Sequence, residues 1–230
     1  MRYFLHLLLF FIVVQSGLAQ NENSPGKVLT DSLEAIYDSG PLVGFSVALV
    51  NEDGIQYVRG FGSADRAAQK AYDINTIQNI ASISKTFIGI ALLKARELGL
   101  LDLDEPVNTY LPFEVIHPYH PESPITLRHL VTHTSGITDP DEYEEKGYIL
   151  RHAENGEDVV NDNFLPPSQM LSLEEFQQRI LSKDGQWYHK KTFLKKKPGE
   201  RFEYSNIGAG LAALALEKAT GKPFDEFTRT

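Results

Sequence analysis

Hydrophobic and polar positions along the chain predict a hairpin followed by a series of helices. Val43–Val50, VGFSVALV, is apolar nearly throughout and predicts a buried strand. Asn51–Gly54, NEDG, predicts a turn, and Ile55–Gly62, IQYVRGFG, the returning strand of a β-hairpin. Ahead of it, Val28, Leu33, Ile36 and Tyr37 recur near helical spacing. Ser24 is placed as the cap, Pro25 as the first helical residue and Gly40-Pro41 as the stop. From Ile80 onward the spacing is helical. Thr126 caps a short helix in ITLRHLVTH. Ser172 with Glu175 forms a capping box for a helix that Gly185 is expected to close. Ser205–Gly221 is a small-residue-rich apolar helix with Gly221 as its stop. Asp139 to Pro167 is polar and irregular and is expected to form a long excursion or lid. Two strands alone make an unstable sheet with unpaired edges. The final KPFDEFTRT has the pattern of a continuing helix, so the chain is expected to stop before its sheet is complete.

The chain has 230 residues and a net charge of -9 at pH 7. That balance disfavours nucleic acid as a partner, because phosphate binding needs basic surface. There is no cysteine, which removes disulfides, thiolate nucleophiles and cysteine-ligated zinc. Residues 1–19 have the pattern of a secretory signal: Arg2, then an apolar stretch from Leu7 to Val14, then Gly17-Leu18-Ala19 as a cleavage site. A membrane anchor is the alternative, but the apolar stretch is too short to span a bilayer comfortably. The mature protein is expected to be secreted or periplasmic, without stable membrane insertion. Residues 20–78 are expected to carry the first helix and the hairpin, and residues 79–230 a helical subdomain.

One lysine stands inside an otherwise uncharged, mostly apolar run, IASISKTFIGIALL, Ile80 to Leu93. Lys85 lies three residues after Ser82, so both are expected on one helix face with Ser82 at the N-terminus. There the helix dipole and free amides favour developing negative charge. Ile83, Phe87, Ile88, Ile90 and Leu92 surround the lysine in the pattern of a helix buried all round, which predicts a buried Lys85 with a depressed pKa unless a partner holds it charged. Neutral lysine can take the serine proton, and charged lysine can stabilise the alkoxide. Ser-x-x-Lys alone is weak, since Ser24 to Lys27 matches it too. Tyr204-Ser205-Asn206, just before the small-residue helix, adds a phenol whose pKa a nearby lysine would lower, and an amide able to orient a substrate. Taken singly, Tyr204 is a half-buried aromatic and Asn206 a helix cap.

Together these residues resemble the serine β-lactamases and penicillin-binding proteins, whose signature includes Ser-x-x-Lys. The likeness is to the branch of class C β-lactamases, D-amino-acid carboxypeptidases and esterases, whose second motif is Tyr-x-Asn, here Tyr204 and Asn206. Ile125–Ile137, ITLRHLVTHTSGI, resembles that branch's LLTHTSGL block, and PGERFEYSN and TGKPFDEF are similar to its phrasing. The resemblance runs from Val43 to the C-terminus. It implies an α+β, β-lactamase/transpeptidase-like fold, with Ser82 attacking an amide or ester to form an acyl-enzyme. Lys85 and Tyr204 would manage protons, Asn206 would hold a substrate amide, and the Ser82 amide would form half of an oxyanion hole. It implies a small-molecule or peptide substrate and no cofactor. The third motif of the branch, Lys-Thr-Gly or His-x-Gly, has no match after Asn206, and KKT at Lys190–Thr192 lacks the glycine. The chain is therefore expected to be an N-terminal or truncated portion. An inactive chain with a ligand- or partner-binding role is the alternative. Oligomeric state is left open.

His129 and His133 have the spacing of a zinc pair, but Leu130 stands where a zinc protease has glutamate, so no metal is expected and His133 is assigned to a tight turn before Thr134-Ser135-Gly136. His117 and His120, in HPYHP, are expected at a loop surface. Lys190, Lys191, Lys195, Lys196 and Lys197 are expected to form a solvated basic loop, with attraction of anionic substrates as the lesser alternative.

Overall fold

The structure, a computed structural model, describes residues 25–149 and 164–229. The signal-like residues 1–19, the Ser24 cap and the middle of the expected lid lie outside them. The chain divides into two compact units, Met1–Asn79 and Ile80–Thr230.

The first unit holds helix α1 (Pro25–Ser39) and an antiparallel sheet of β1 (Gly44–Asn51), β2 (Gly54–Asp65) and β3 (Lys70–Ala71), in the order β1-β2-β3. The predicted hairpin is present, and β3 is an addition that two residues could not announce by periodicity. The register sets Phe45 opposite Phe61, and their rings stack with centroids 4.9 Å apart. α1 is tied to β2 by Thr30 and Tyr57 hydroxyls 2.9 Å apart and by the Arg59–Glu34 ion pair at 2.6 Å. Gly62, at φ 74°, lets the Tyr37 ring lie directly on β2, where any Cβ would overlap it.

The second unit contains α2 (Lys85–Glu97), α3 (Leu127–Val131), α4 (Asp141–Lys146), α5 (Leu173–Leu181), α6 (Asn206–Thr220) and α7 (Phe224–Phe227). Its centre is α6, buried from Ile207 to Leu216 except at Gly210. Its glycines and alanines let neighbouring backbones approach closely, and α2, α3, α5 and α7 all pack on it. Leu92, Leu127, Leu130, Ile180, Leu181 and Leu211 fill the space between them.

Helix ends follow the chemistry of their caps. The Ser172 and Ser205 hydroxyls accept from the amides of Glu175 and Gly208, and Gly221 ends α6 at φ 66°. α5, however, ends at Leu181, with Gly185 in the turn beyond. The expected lid is not wholly irregular either: Pro140 leads into α4, whose first turn carries Asp141, Glu142 and Glu144 at the helix end that favours negative charge.

Among the described residues no helix is long and apolar enough to cross a membrane.

Candidate active site

Ser82 lies in a 3-10 turn, Ala81–Ser84, that leads directly into α2 at Lys85. The α-helix therefore starts three residues later than predicted, with a useful consequence. Side chains three apart eclipse in 3-10 geometry, which brings Lys85 over Ser82. Lys85 Nζ donates to Ser82 Oγ at 3.2 Å. Ala81, just before the serine, sits at φ 46°, a left-handed conformation that costs a non-glycine residue about 1 kcal/mol.

Lys85 is half-buried rather than enclosed. Among the described residues α2 is covered on one side only: Ala91, Leu92 and Ala95 are buried, while Phe87, Ile90 and Leu93 are 51%, 62% and 53% exposed. The apolar run is thus broader than the face that packs. The lysine borders a cavity of about 250 Å³ with Leu130, His133 and Ala209.

Tyr204 is 43% exposed, and its hydroxyl donates to Ser82 Oγ at 2.8 Å. Lys85 Nζ also stands 5.3 Å from the Tyr204 ring centre. The phenol is held below its ordinary pKa of 10.0, first by hydrogen bonding to Lys85 and then by that to Ser82. The structure therefore brings Lys85 and Tyr204 each within hydrogen-bond reach of Ser82 Oγ, although 122 residues separate the serine from the tyrosine.

The segment 133–139 makes this meeting possible. His133, at φ 54°, opens a turn whose backbone is laced to residues 192–203. Glu203 N donates to His133 O at 2.7 Å, Gly199 N to Thr134 O at 2.7 Å and Thr138 N to Thr192 O at 2.8 Å. The His133 ring lies 4.5 Å from the Tyr204 ring, and its Nδ1 accepts from Ser205 N at 3.2 Å. Its expected place in a tight turn is thus the actual one, and it also supports the Tyr204 segment.

At the end of the turn stands Asp139, which sequence reasoning missed. Its carboxylate accepts four hydrogen bonds at the start of α6: from Ser205 Oγ (2.9 Å), Asn206 N (3.0 Å), Asn206 Nδ2 (2.7 Å) and Ile207 N (2.9 Å). The only available signal was an aspartate next to Pro140, which also describes an ordinary turn. Because a carboxylate only accepts, these bonds also orient Asn206, with its nitrogen toward Asp139.

Three histidines share one electrostatic pattern. Nδ1 accepts a backbone N–H in each: from Tyr119 for His117, Thr126 for His129 and Ser205 for His133. In His129 this completes a capping box with Thr126 at the start of α3. His117 is 2% exposed, so the expected loop-surface position is incorrect; it packs edge-on to Phe193. Burial is the first cause holding all three below the ordinary histidine pKa of 6.5. The unfolded chain then takes up protons near pH 6.5 that the native state refuses. Stability from these groups is complete above that pH and lost as pH falls below it. The expected result is a Tm roughly 5 °C lower at pH 5.5 than at pH 7.5, measured by circular dichroism. His129→Asn keeps an acceptor but cannot titrate, so it should shrink the difference.

The basic loop carries specific contacts: Lys190 Nζ lies 4.3 Å from the Tyr119 ring centre and Lys191 pairs with Asp141 at 3.6 Å.

Residues 29–230 match the beta-lactamase family. The chain belongs to that family. It is 31% identical over 202 residues to Esterase EstB of Burkholderia gladioli, covering 85% of this chain and 46% of EstB. The structure of the octameric penicillin-binding protein homologue from Pyrococcus abyssi superposes with a TM-score of 0.62 at 29% identity, covering 89% of this chain and 41% of that one. EstCE1, a hydrolase with promiscuous acyltransferase activity, superposes with a TM-score of 0.59 at 27% identity, covering 88% and 48%. The expected α+β, β-lactamase/transpeptidase-like fold is thus the fold of this beta-lactamase-family chain. It spans 32–46% of the length of the first two curated relatives it matches.

Proposed function

We propose that the chain carries the acylating residues of an exported serine hydrolase acting on an amide or ester. The observation that carries this is the convergence of Lys85 Nζ and Tyr204 OH on Ser82 Oγ, at 3.2 Å and 2.8 Å. In the neutral state the phenol donates to the serine. Once ionised, it accepts the serine proton across the same contact while Ser82 Oγ bonds to the carbonyl carbon. The carbonyl electrons move onto oxygen, where the Ser82 backbone amide is one donor. Collapse expels the amine or alcohol, which takes the proton from Tyr204, and water then releases the acyl group from Ser82. The positive charge of Lys85 favours both the phenolate and the developing alkoxide. The esterase and penicillin-binding relatives support this chemistry, and the pattern of residues 1–19 supports export. Beta-lactams, D-peptides and small esters are the substrate classes in view.

The test is covalent labelling with a fluorophosphonate or a fluorescent penicillin. A single adduct on Ser82 is expected, absent from Ser82→Ala. An unlabelled sample with native circular dichroism would instead favour a ligand- or partner-binding role.

A further inference from the structure

His133 is a titratable group beside the candidate active site that the acylation chemistry above does not use. Its backbone, at φ 54°, is in the left-handed region, where Asn, Asp and His are the residues enriched after glycine. The turn alone therefore does not require an imidazole. The side chain, however, is engaged on several sides. Its Nδ1 accepts from Ser205 N at 3.2 Å, its ring lies 4.5 Å from the Tyr204 ring at a tilt of 32°, and the Phe202 ring meets it edge-on at 5.9 Å. With Lys85 it borders the cavity of about 250 Å³ behind the serine.

These contacts admit one protonation state. Because Nδ1 accepts, the proton of the neutral ring is on Nε2. A second proton has to go on Nδ1, where it faces Ser205 N–H donor to donor and leaves that amide without its acceptor. It also brings a second positive charge to the cavity that Lys85 borders. The charged groups around the ring are Lys85 from α2 and Asp139 from the end of the same turn; Glu203, whose amide bonds to His133 O, pairs with Arg201 at 3.4 Å. Burial first, and then Lys85, outweigh Asp139 and hold the imidazole below its ordinary pKa of 6.5. The Tyr204 stack does not oppose the extra charge, since a phenol face attracts a cation. The hydrogen bond and Lys85 do. Ser205 is not free to yield, because Asp139 holds its Oγ at 2.9 Å and the next amide, Asn206 N, at 3.0 Å. The strain of a protonated ring is therefore relieved by the ring leaving its place, and Tyr204 then loses the surface on which it lies.

We propose that His133 is a positioning residue whose neutral ring holds Tyr204 on Ser82, and that its protonation withdraws the phenol. Acid then silences the site through a group separate from the one that accepts the serine proton. The consequence for acylation rests on the hydrolase function proposed above; the coupling of His133 to Tyr204 is read separately.

The rate of fluorophosphonate labelling of Ser82 is followed from about pH 8 down to about pH 4.5, below the melting range. Ionisation of Tyr204 alone lowers the rate about tenfold per pH unit. Below the His133 midpoint two protons must leave, so the wild-type fall should steepen to about a hundredfold per pH unit. His133→Asn keeps an acceptor for Ser205 N and suits the left-handed backbone, yet cannot titrate, so its rate should fall only about tenfold per unit throughout. His129→Asn, which removes a different histidine of lowered pKa, should retain the wild-type steepening. In the unlabelled wild type, the Ser205 amide and Tyr204 ring resonances should shift with the same midpoint, below 6.5, as the His133 ring. A wild-type profile without steepening, a steepening that persists in His133→Asn or vanishes in His129→Asn, or a His133 titration that leaves the Tyr204 resonances unmoved would each overturn the proposal. Labelling of Ser82 in those cases leaves the hydrolase function standing. A shared midpoint for His133, Ser205 and Tyr204 with Ser82 unlabelled at every pH supports the positioning of Tyr204 and overturns the hydrolase function instead.

Discussion

Lys85→Met is expected to slow fluorophosphonate labelling of Ser82 by about a thousandfold, the scale of losing positioned acid–base assistance. Methionine keeps the length and apolar stem but removes the hydrogen bond to Ser82 Oγ and the first cause of the lowered Tyr204 pKa. The pH profile separates assistance from packing. In the wild type the labelling rate should rise with pH as Tyr204 ionises, with a midpoint below the ordinary phenol value of 10.0. Without Lys85 the phenol loses its main stabilising partner, so the midpoint moves up toward that value and the rate at neutral pH falls. Tyr204→Phe should be similarly slow and lose the pH dependence altogether. A Lys85→Met protein with unchanged rate and midpoint would remove the lysine from the proton pathway.

The sequence disclosed the parts of this site whose signals are local. Ser82 and Lys85 are one turn apart, and Tyr204 precedes a helix whose small residues mark close packing. The hairpin and the caps at Thr126, Ser172 and Ser205 were legible for the same reason. What depends on tertiary neighbours was not. An apolar run shows that Lys85 has greasy neighbours, but not that only one side of α2 is covered. HPYHP looks like exposed loop, yet Phe193, 76 residues beyond His117, helps enclose that ring. Asp139 has the letter of a turn, and it acquires its meaning from a partner element that periodicity cannot locate.

Asp139→Ala should have the largest effect on stability: a loss of about 3 kcal/mol, read as a Tm fall of roughly 8 °C. The carboxylate faces the positive end of a helix 15 residues long whose first turn has no acidic residue of its own. Alanine would leave the Asn206 and Ile207 amides and the Asn206 side-chain nitrogen without their acceptor. It would also free the Ser205 hydroxyl, which donates to Asp139 while accepting from Gly208. Ser205 is 1% exposed, so water cannot readily replace the lost bond. Asp139→Asn should fall between the two, because its amide oxygen can accept but its nitrogen must face donors. Glu34→Ala provides the scale: it breaks an exposed ion pair with Arg59, and such pairs contribute about 0–1 kcal/mol. If Asp139→Ala lowers Tm no more than Glu34→Ala does, the α6 terminus is held by something else. If it does lower Tm as expected, Ser82 labelling should fall with it even below the melting range, since Tyr204 and Asn206 flank the serine that Asp139 anchors. Catalytic geometry and fold stability would then share one carboxylate.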